Sequence, residues 1–128
     1  MIDNKSGLIV ISVKIIGMII EHNVRLAIDT GTTFTILRPG IIDYIGDNVK
    51  DRQKASVTTG TKTEYNCYFT TIKRIELFEG IGINNFKIVA KNLPNPLYMI
   101  DGLLGLDFFR FIKKKLCIDF KKNSIEID

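Results

Sequence analysis

"AIDTGTTFTIL", residues 27–37, sets two apolar residues, an acid, a hydroxyl residue and a glycine directly before a run of β-prone side chains. A carboxylate at the end of a buried strand costs free energy unless it is hydrogen-bonded or used chemically. Asp29 therefore has two readings. In one it closes a β-turn, accepting from nearby amides while Gly31 supplies an unusual backbone angle. In the other it is a reactive group that the strand delivers. The triplet alone does not separate them, so the flanking sequence decides.

Upstream, "LIVISVKIIGMII" (8–20) sets Ile9, Ile11, Val13 and Ile15 against Val10, Ser12 and Lys14. This alternation predicts a long strand, with Gly17 as a bulge or bend. "EHN" (21–23) has turn chemistry, and "VRLAID" (24–29) is expected to return as the partner strand. Downstream, "FTIL" (34–37) predicts a short strand, and "RPGIIDYIG" a short helix from Pro39 to the stop at Gly46, followed by a polar connector over 47–54. "ASVTTGTKTEYNCYFTTI" (55–72) predicts strand, turn and strand, turning near Thr59–Lys62 around Gly60. "KRIELF", "EGIGINN" and "FKIVA" predict a second hairpin, and "NLPNPLYMI" (92–100) a loop that its prolines keep irregular. "DGLLGLDFFRFI" (101–112) predicts a tight apolar turn into a short helix that Asp107 would cap, and "KLCIDF", "KKNS" and "IEI" a closing hairpin. The sum is an all-β domain over residues 1–128, a small closed-barrel-like sheet with two short helices.

Composition narrows the function. At 128 residues, 45% hydrophobic and 25% charged, the chain suits one globular domain with a real core, and its Ile-rich, Ala-poor apolar part favours strands. The apolar stretch 8–20 is interrupted by Ser12 and Lys14 and is too short to span a bilayer, and no basic segment with a bare apolar run opens the chain. A cytoplasmic location with no membrane partner is expected. Cys67 and Cys117 lack C-x-x-C spacing and read as free thiols in a reducing compartment. A single histidine, His22, and no Cys/His cluster argue for no metal and no cofactor. The net charge of +4 includes "KKK" (113–115) and "KK" (121–122), which read as solvated turns. No aromatic–basic stacking motif accompanies them, so nucleic acid is not an expected partner.

In chain order, an apolar strand, Asp29-Thr30-Gly31-Thr32-Thr33, a β-run, a Thr/Gly-rich hairpin and "LLG" (103–105) before a short helix together resemble the retropepsin-like aspartic proteases, the half-size relatives of pepsin. The likeness covers about residues 8 to 127; "AIDTGTT" and "DGLLGLDFF" carry most of it, and the hairpin at 57–65 matches the family's flap more loosely.

The resemblance implies an aspartic endopeptidase acting on extended, largely apolar peptide segments. Such enzymes activate water with two carboxylates that share one proton, because both cannot ionise at contact distance. This chain has one Asp-Thr-Gly, so the chemistry requires a symmetric homodimer with Asp29 from each subunit at the two-fold axis. By the same resemblance, Thr30 would cross the axis to the partner's backbone, and Gly31 would let the backbone approach the carboxylate. Thr32 would bond the outer carboxylate oxygen and stabilise its ionised form, so an activity optimum more acidic than that of the retroviral enzymes is expected. Thr58, Thr59, Gly60 and Thr61 would contact substrate from the flap, with Tyr65 either over the substrate or on a strand surface. Leu103 and Leu104 would line or back the subsites, or simply pack in the core. The pattern also departs from the retroviral one. Thr33 and Leu106 stand where those enzymes carry an acid and an arginine, so the dimer is expected to be held differently, by the C-terminal strands. The flap lacks a Gly-rich tip and is expected to move less, and no propeptide control is expected. The alternative is a catalytically silent relative that binds peptides or another protein.

Overall fold

Alternating β-branched residues build the first hairpin. β1 (Val10–Ile16) and β2 (Glu21–Ile28) pair antiparallel, and Val13, Ile15, Val24 and Leu26 are wholly buried on its inner face. In this computed structural model, which describes residues 8–59, 61–78, 80–94 and 100–127, the chain continues through β3 (Ile36–Leu37), α1 (Pro39–Ile45), β4 (Gln53–Thr59) and β5 (Lys62–Phe78). Then come β6 (Ile81–Ala90), β7 (Gly102–Leu104), α2 (Leu106–Ile112), β8 (Leu116–Asp119) and β9 (Ser124–Ile127).

Six strands close a barrel in the order β1-β2-β7-β3-β6-β5, with β5 returning to β1 at Ile15↔Ile75. The 17 residues of β5 make this possible. One edge holds β4 along its first half and β1 near its end, and β6 takes the opposite edge. β7 lies parallel to β2 and antiparallel to β3, which brings residues 102–104 beside the end of β2. The β8–β9 hairpin pairs with itself among the described residues. The main core is mostly Ile, Val and Leu with Phe86 and Phe108, and α1 buries Ile42 and Ile45 in it. A smaller cluster of Val10, Ala27, Ile36, Val89, Leu93 and Ile100 sits apart from it. No helix among the described residues is long and apolar enough to cross a membrane.

The barrel and both helices match the sequence expectation, but several boundaries differ. The first reversal lies at 17–20, closed by Gly17 N–H donating to the Ile20 carbonyl (3.0 Å), whereas Glu21, His22 and Asn23 are paired with Ile16, Ile15 and Lys14. Docking on a helix end overrides the local turn chemistry there. Met18 and Ile19 donate to the Gly46 and Ile45 carbonyls (2.8 Å each), satisfying acceptors that the end of α1 leaves open. A Cβ on Gly17 would lie 2.2 Å from the Ile45 oxygen, so the contact requires glycine. "KRIELF" is the end of β5, and β6 begins at Ile81; the turn-like Asn84 and Asn85 lie inside β6, with Asn85 accommodating φ 52°. Of "FTIL", Ile36 and Leu37 form the strand. Gly60, Glu79 and residues 95–99 of the predicted turns and loop lie outside the described residues.

An ion pair ties α1 to the sheet. The Asp47 side chain, 2% exposed, accepts from Arg52 Nε (2.8 Å) and Nη2 (2.7 Å) and from the Thr70 hydroxyl. Arg52 also reaches Asp43 and stacks 4.5 Å from the Tyr68 ring. The Arg52 hydrogen bonds hold the Asp47 carboxyl below its ordinary value of 3.8, against the opposing effect of burial. A carboxyl lowered by folding contributes stability above its unfolded value, and that contribution is lost as pH falls through the folded value. Asp47→Asn should therefore cost about 3 kcal/mol at pH 7. Urea melts should show the gap between wild type and variant narrowing steadily below pH 4.

Candidate active site

β2 ends at Ile28, and the chain turns at once through Asp29-Thr30-Gly31. The Asp29 amide donates to the Leu104 carbonyl (3.0 Å), so β7 holds the residue in place from its neighbouring position. Each carboxylate oxygen has one donor: Gly31 N–H to Oδ1 and the Thr32 hydroxyl to Oδ2, both at 3.0 Å. Thr32 N–H closes the turn on the Asp29 carbonyl (3.2 Å). A Cβ on Gly31 would lie 3.2 Å from Oδ1, which shows how closely the backbone approaches the acid. The side chain is half-buried and Thr30 is exposed. Asp29 thus makes the turn bonds of the structural reading and is also oriented as a reactive group would be.

The loop is pinned from behind. Gly105 passes so near it that a Cβ would lie 2.7 to 2.8 Å from backbone atoms of Phe34 and Thr32. Leu106 and Asp107 donate their amides to the Thr32 and Thr33 carbonyls (2.9 and 3.1 Å). The wholly buried Thr35 accepts from Gly105 N–H (3.1 Å) and donates its hydroxyl to Asp107 Oδ1 (2.8 Å), while its own amide donates to Oδ2 (3.0 Å). Asp107 does take the Phe108 amide (2.8 Å), but Gly105 holds the N-cap position of α2. The acid expected to cap a helix is chiefly a bolt to the strand opposite, because the crossing of 105 over 35 puts two donors of Thr35 within reach.

Asp29 opens onto a cleft of about 620 Å³ between this loop, the β4–β5 hairpin and the segment that follows β6. Of the residues expected to bind substrate, Thr58 and the half-buried Leu103 line it. The Thr58 hydroxyl is 2.9 Å from that of Thr63 across the hairpin. Thr61 is exposed at the hairpin turn; Gly60 and the side chains of Thr59 and Tyr65 lie outside the described residues. Of the two readings of Leu104, the structure favours core packing: it is wholly buried in the main core and is not among the described residues lining the cleft, because its neighbour Leu103 takes the outward side of β7.

Val57, at the start of the expected flap, also lines the cleft; the sequence reading missed Phe34, Ile36, Val89, Lys91 and Leu93, which line it too. Residues 89, 91 and 93 share one side of an extended segment, a signal in the sequence whose direction only the sheet order reveals. Arg38 holds this segment in place through Nε to the Ile100 carbonyl (2.9 Å) and Nη1 to the Leu93 carbonyl (3.1 Å). Among the described lining residues, Asp29 is the only acid.

A family profile described as "Aspartyl protease" matches residues 11–108. Among solved structures, a retropepsin-like aspartic protease from Rickettsia conorii superimposes with a TM-score of 0.68 at 16% identity, over 97% of this chain and 84% of that one. The EIAV protease in complex with the inhibitor HBY-793 gives 0.63 at 14% identity, over 90% and 97% of the two chains. The retroviral protease-like domain of Ddi1 from Leishmania major gives 0.54 at 19%, over 94% and 88%. At these identities the likeness shows a shared retropepsin fold. No curated protein sequence matches the chain.

Thr35→Val keeps the shape of the pin and removes its hydroxyl, stranding the Gly105 amide and leaving Asp107 Oδ1 with the Phe108 amide alone. The expected loss is about 2–3 kcal/mol in denaturant unfolding. Thr32→Val, at a part-exposed hydroxyl bond, should cost less than half as much.

Proposed function

The chain belongs to the aspartyl protease family, and on that premise we propose that it is an aspartic endopeptidase acting as a symmetric homodimer on extended polypeptides. The observation that carries this reading is Asp29 itself, with a donor on each carboxylate oxygen and an open cleft before it. One carboxylate cannot serve as acid and base in the same step. A second copy, related by a two-fold axis through the Asp29 loops, supplies the other.

With one proton shared between the pair, the ionised Asp29 takes a proton from a water held between them. The oxygen of that water attacks the peptide carbonyl carbon, and the protonated Asp29 of the other subunit gives its proton to the carbonyl oxygen. Collapse of the resulting gem-diol breaks the C–N bond as a proton passes to the leaving nitrogen. The Gly31 amide and Thr32 hydroxyl keep the carboxylates oriented through these transfers. Thr30, exposed beside the acid, is assigned to cross-axis contact with the partner's loop. The β4–β5 hairpin is assigned as a flap that holds substrate extended through main-chain hydrogen bonds. The C-terminal hairpin is the surface assigned to dimer contact; Phe120 at its turn is 69% exposed, and Phe111 in the preceding α2 is 65% exposed. Cys67 and Cys117 are not disulfide-bonded, which fits the proposed cytoplasmic setting.

Cleavage of casein between pH 3 and 7 tests the proposal. Wild type should cut and Asp29→Asn should not. When Asp29→Asn is mixed in and allowed to exchange, activity should fall as the square of the wild-type fraction. A linear fall would show that each chain works alone and would exclude the shared-carboxylate mechanism. Folded, dimeric protein that binds peptides without turnover would instead identify a silent relative. Thr32→Ala removes the donor to Asp29 Oδ2 and should lower kcat while the folded dimer still binds peptide; an unchanged kcat would remove Thr32 from the chemistry.

A further inference from the structure

Among the described residues, the outer half of the β4–β5 hairpin has no other strand beside it. β6 pairs with β5 only from Tyr68 onward and β1 only at Arg74–Glu76, so residues 55–59 and 62–67 pair with one another alone. A two-stranded ribbon of this kind twists readily, and its course is set largely at its base. One step out from the base the register slips: Ala55 faces Cys67 but Val57 faces Glu64, which sets Ser56 against two residues of β5. Such a bulge sharpens the twist and re-aims the side chains beyond it. Ser56, Val57 and Thr58 line the cleft that holds Asp29.

The base itself is clamped. Its rungs nearest the barrel are Lys54↔Tyr68 and Gln53↔Phe69, and directly outside them stand Arg52 before β4 and Thr70 on β5. Both bind one carboxylate. Asp47 Oδ2 accepts from Arg52 Nε (2.8 Å) and from the Thr70 hydroxyl, and Oδ1 accepts from Arg52 Nη2 (2.7 Å). The guanidinium also lies over the Tyr68 ring. Asp47 closely follows α1, whose Ile42 and Ile45 are wholly buried and whose last carbonyls take the Met18 and Ile19 amides. A single side chain therefore joins a fixed part of the barrel to both strands of the hairpin.

We propose that Asp47 is a positioning residue for peptide binding: by holding Arg52 and Thr70 together it fixes the angle at which the β4–β5 hairpin leaves the barrel, and with it the place of Ser56, Val57 and Thr58 along the cleft. The proposal rests on the peptidase reading for its ligand, an extended peptide. Leverage makes the base matter. Thr58 stands five residues beyond Gln53, about 17 Å along a strand. A tilt of about 5° at the base moves it by about 1.5 Å at that reach. Misplacement on the order of 1 Å is enough to cost a bound reactant about a hundredfold. Asn at position 47 keeps the shape but turns an amide donor toward groups that themselves donate, so the clamp opens on at least one side. Asp29 is held separately, by Gly31, Thr32 and the Leu104 carbonyl. A loosened hairpin should therefore weaken peptide binding more than the chemical step.

Two measurements test this, both well below the melting temperature of each variant. One is kcat and KM on an octapeptide substrate; the other is the Kd of the same peptide in an Asp29→Asn background, which reads binding without turnover. Asp47→Asn should raise KM and Kd about tenfold and change kcat by no more than about twofold. Thr70→Val removes the β5 arm and leaves Arg52 in place; it should raise both about threefold, and Thr70→Ser should restore them. Ile83→Ala, a core truncation in β6, controls for a merely structural effect and should leave KM and Kd unmoved. If Asp47→Asn does not fold, the Thr70 pair carries the same comparison. In a wild type that cuts, KM and Kd that stay unmoved in these variants, or that Ile83→Ala moves equally, overturn the role of Asp47 and leave the peptidase reading intact. A wild type that cuts nothing, with peptide binding that Asp47→Asn still weakens, sinks the peptidase reading and keeps the positioning role. Neither cleavage nor binding overturns both.

Discussion

The passage of residues 102–105 between β2 and β3 is the constraint on which the rest of the molecule depends. This segment fits there only because two of its residues, Gly102 and Gly105, have no side chain. A Cβ on Gly102 would lie 2.0 Å from the Ile36 carbonyl oxygen, and one on Gly105 2.7 Å from Phe34. The strand so inserted joins β2 to β3 and thereby completes the barrel. It also fixes the Asp29 amide to Leu104 and the loop carbonyls of Thr32 and Thr33 to the start of α2. Closing the fold and positioning the acid are the same event.

Around that crossing the polar groups are held by one another and not by solvent. Thr35 uses its amide and both roles of its hydroxyl, and among the described residues no buried side-chain nitrogen or oxygen lacks a partner. In a low-dielectric interior such a network is stiff, because leaving any one member unpaired carries a desolvation penalty. The consequence for chemistry is an Asp29 carboxylate whose two oxygens already point in defined directions before any ligand arrives. Under the proposed mechanism, little reorganisation is then left to the reacting step.

The two apolar clusters divide the work. The large one, with α1 and Phe108, stabilises the barrel. The smaller one floors the cleft, and three of its residues, Ile36, Val89 and Leu93, also line it. Lys91, 8% exposed, lines the cleft beside that floor, where burying a charge carries a desolvation cost.

Much of this was legible along the chain. Alternation marked β1 and β2, Pro39 and Gly46 bounded α1, and the acid–hydroxyl–glycine turn after an apolar strand marked Asp29. These signals are local: strand period, cap chemistry and turn chemistry act between residues a few positions apart. What the tertiary structure decided is nonlocal. The reversal moved from "EHN" to 17–20 because the end of α1 offered carbonyls to Met18 and Ile19. Leu104 went to the core and Leu103 to the cleft because β7 presents one face to each. Asp107 left the cap for Thr35, 72 residues away, because only the crossing brings them together. Lys91 gained its place in the cleft from the β3 pairing that continues past the end of β6. A strand's period says that two faces exist; which one lines the cleft is settled only when another strand, distant in sequence, covers its neighbour.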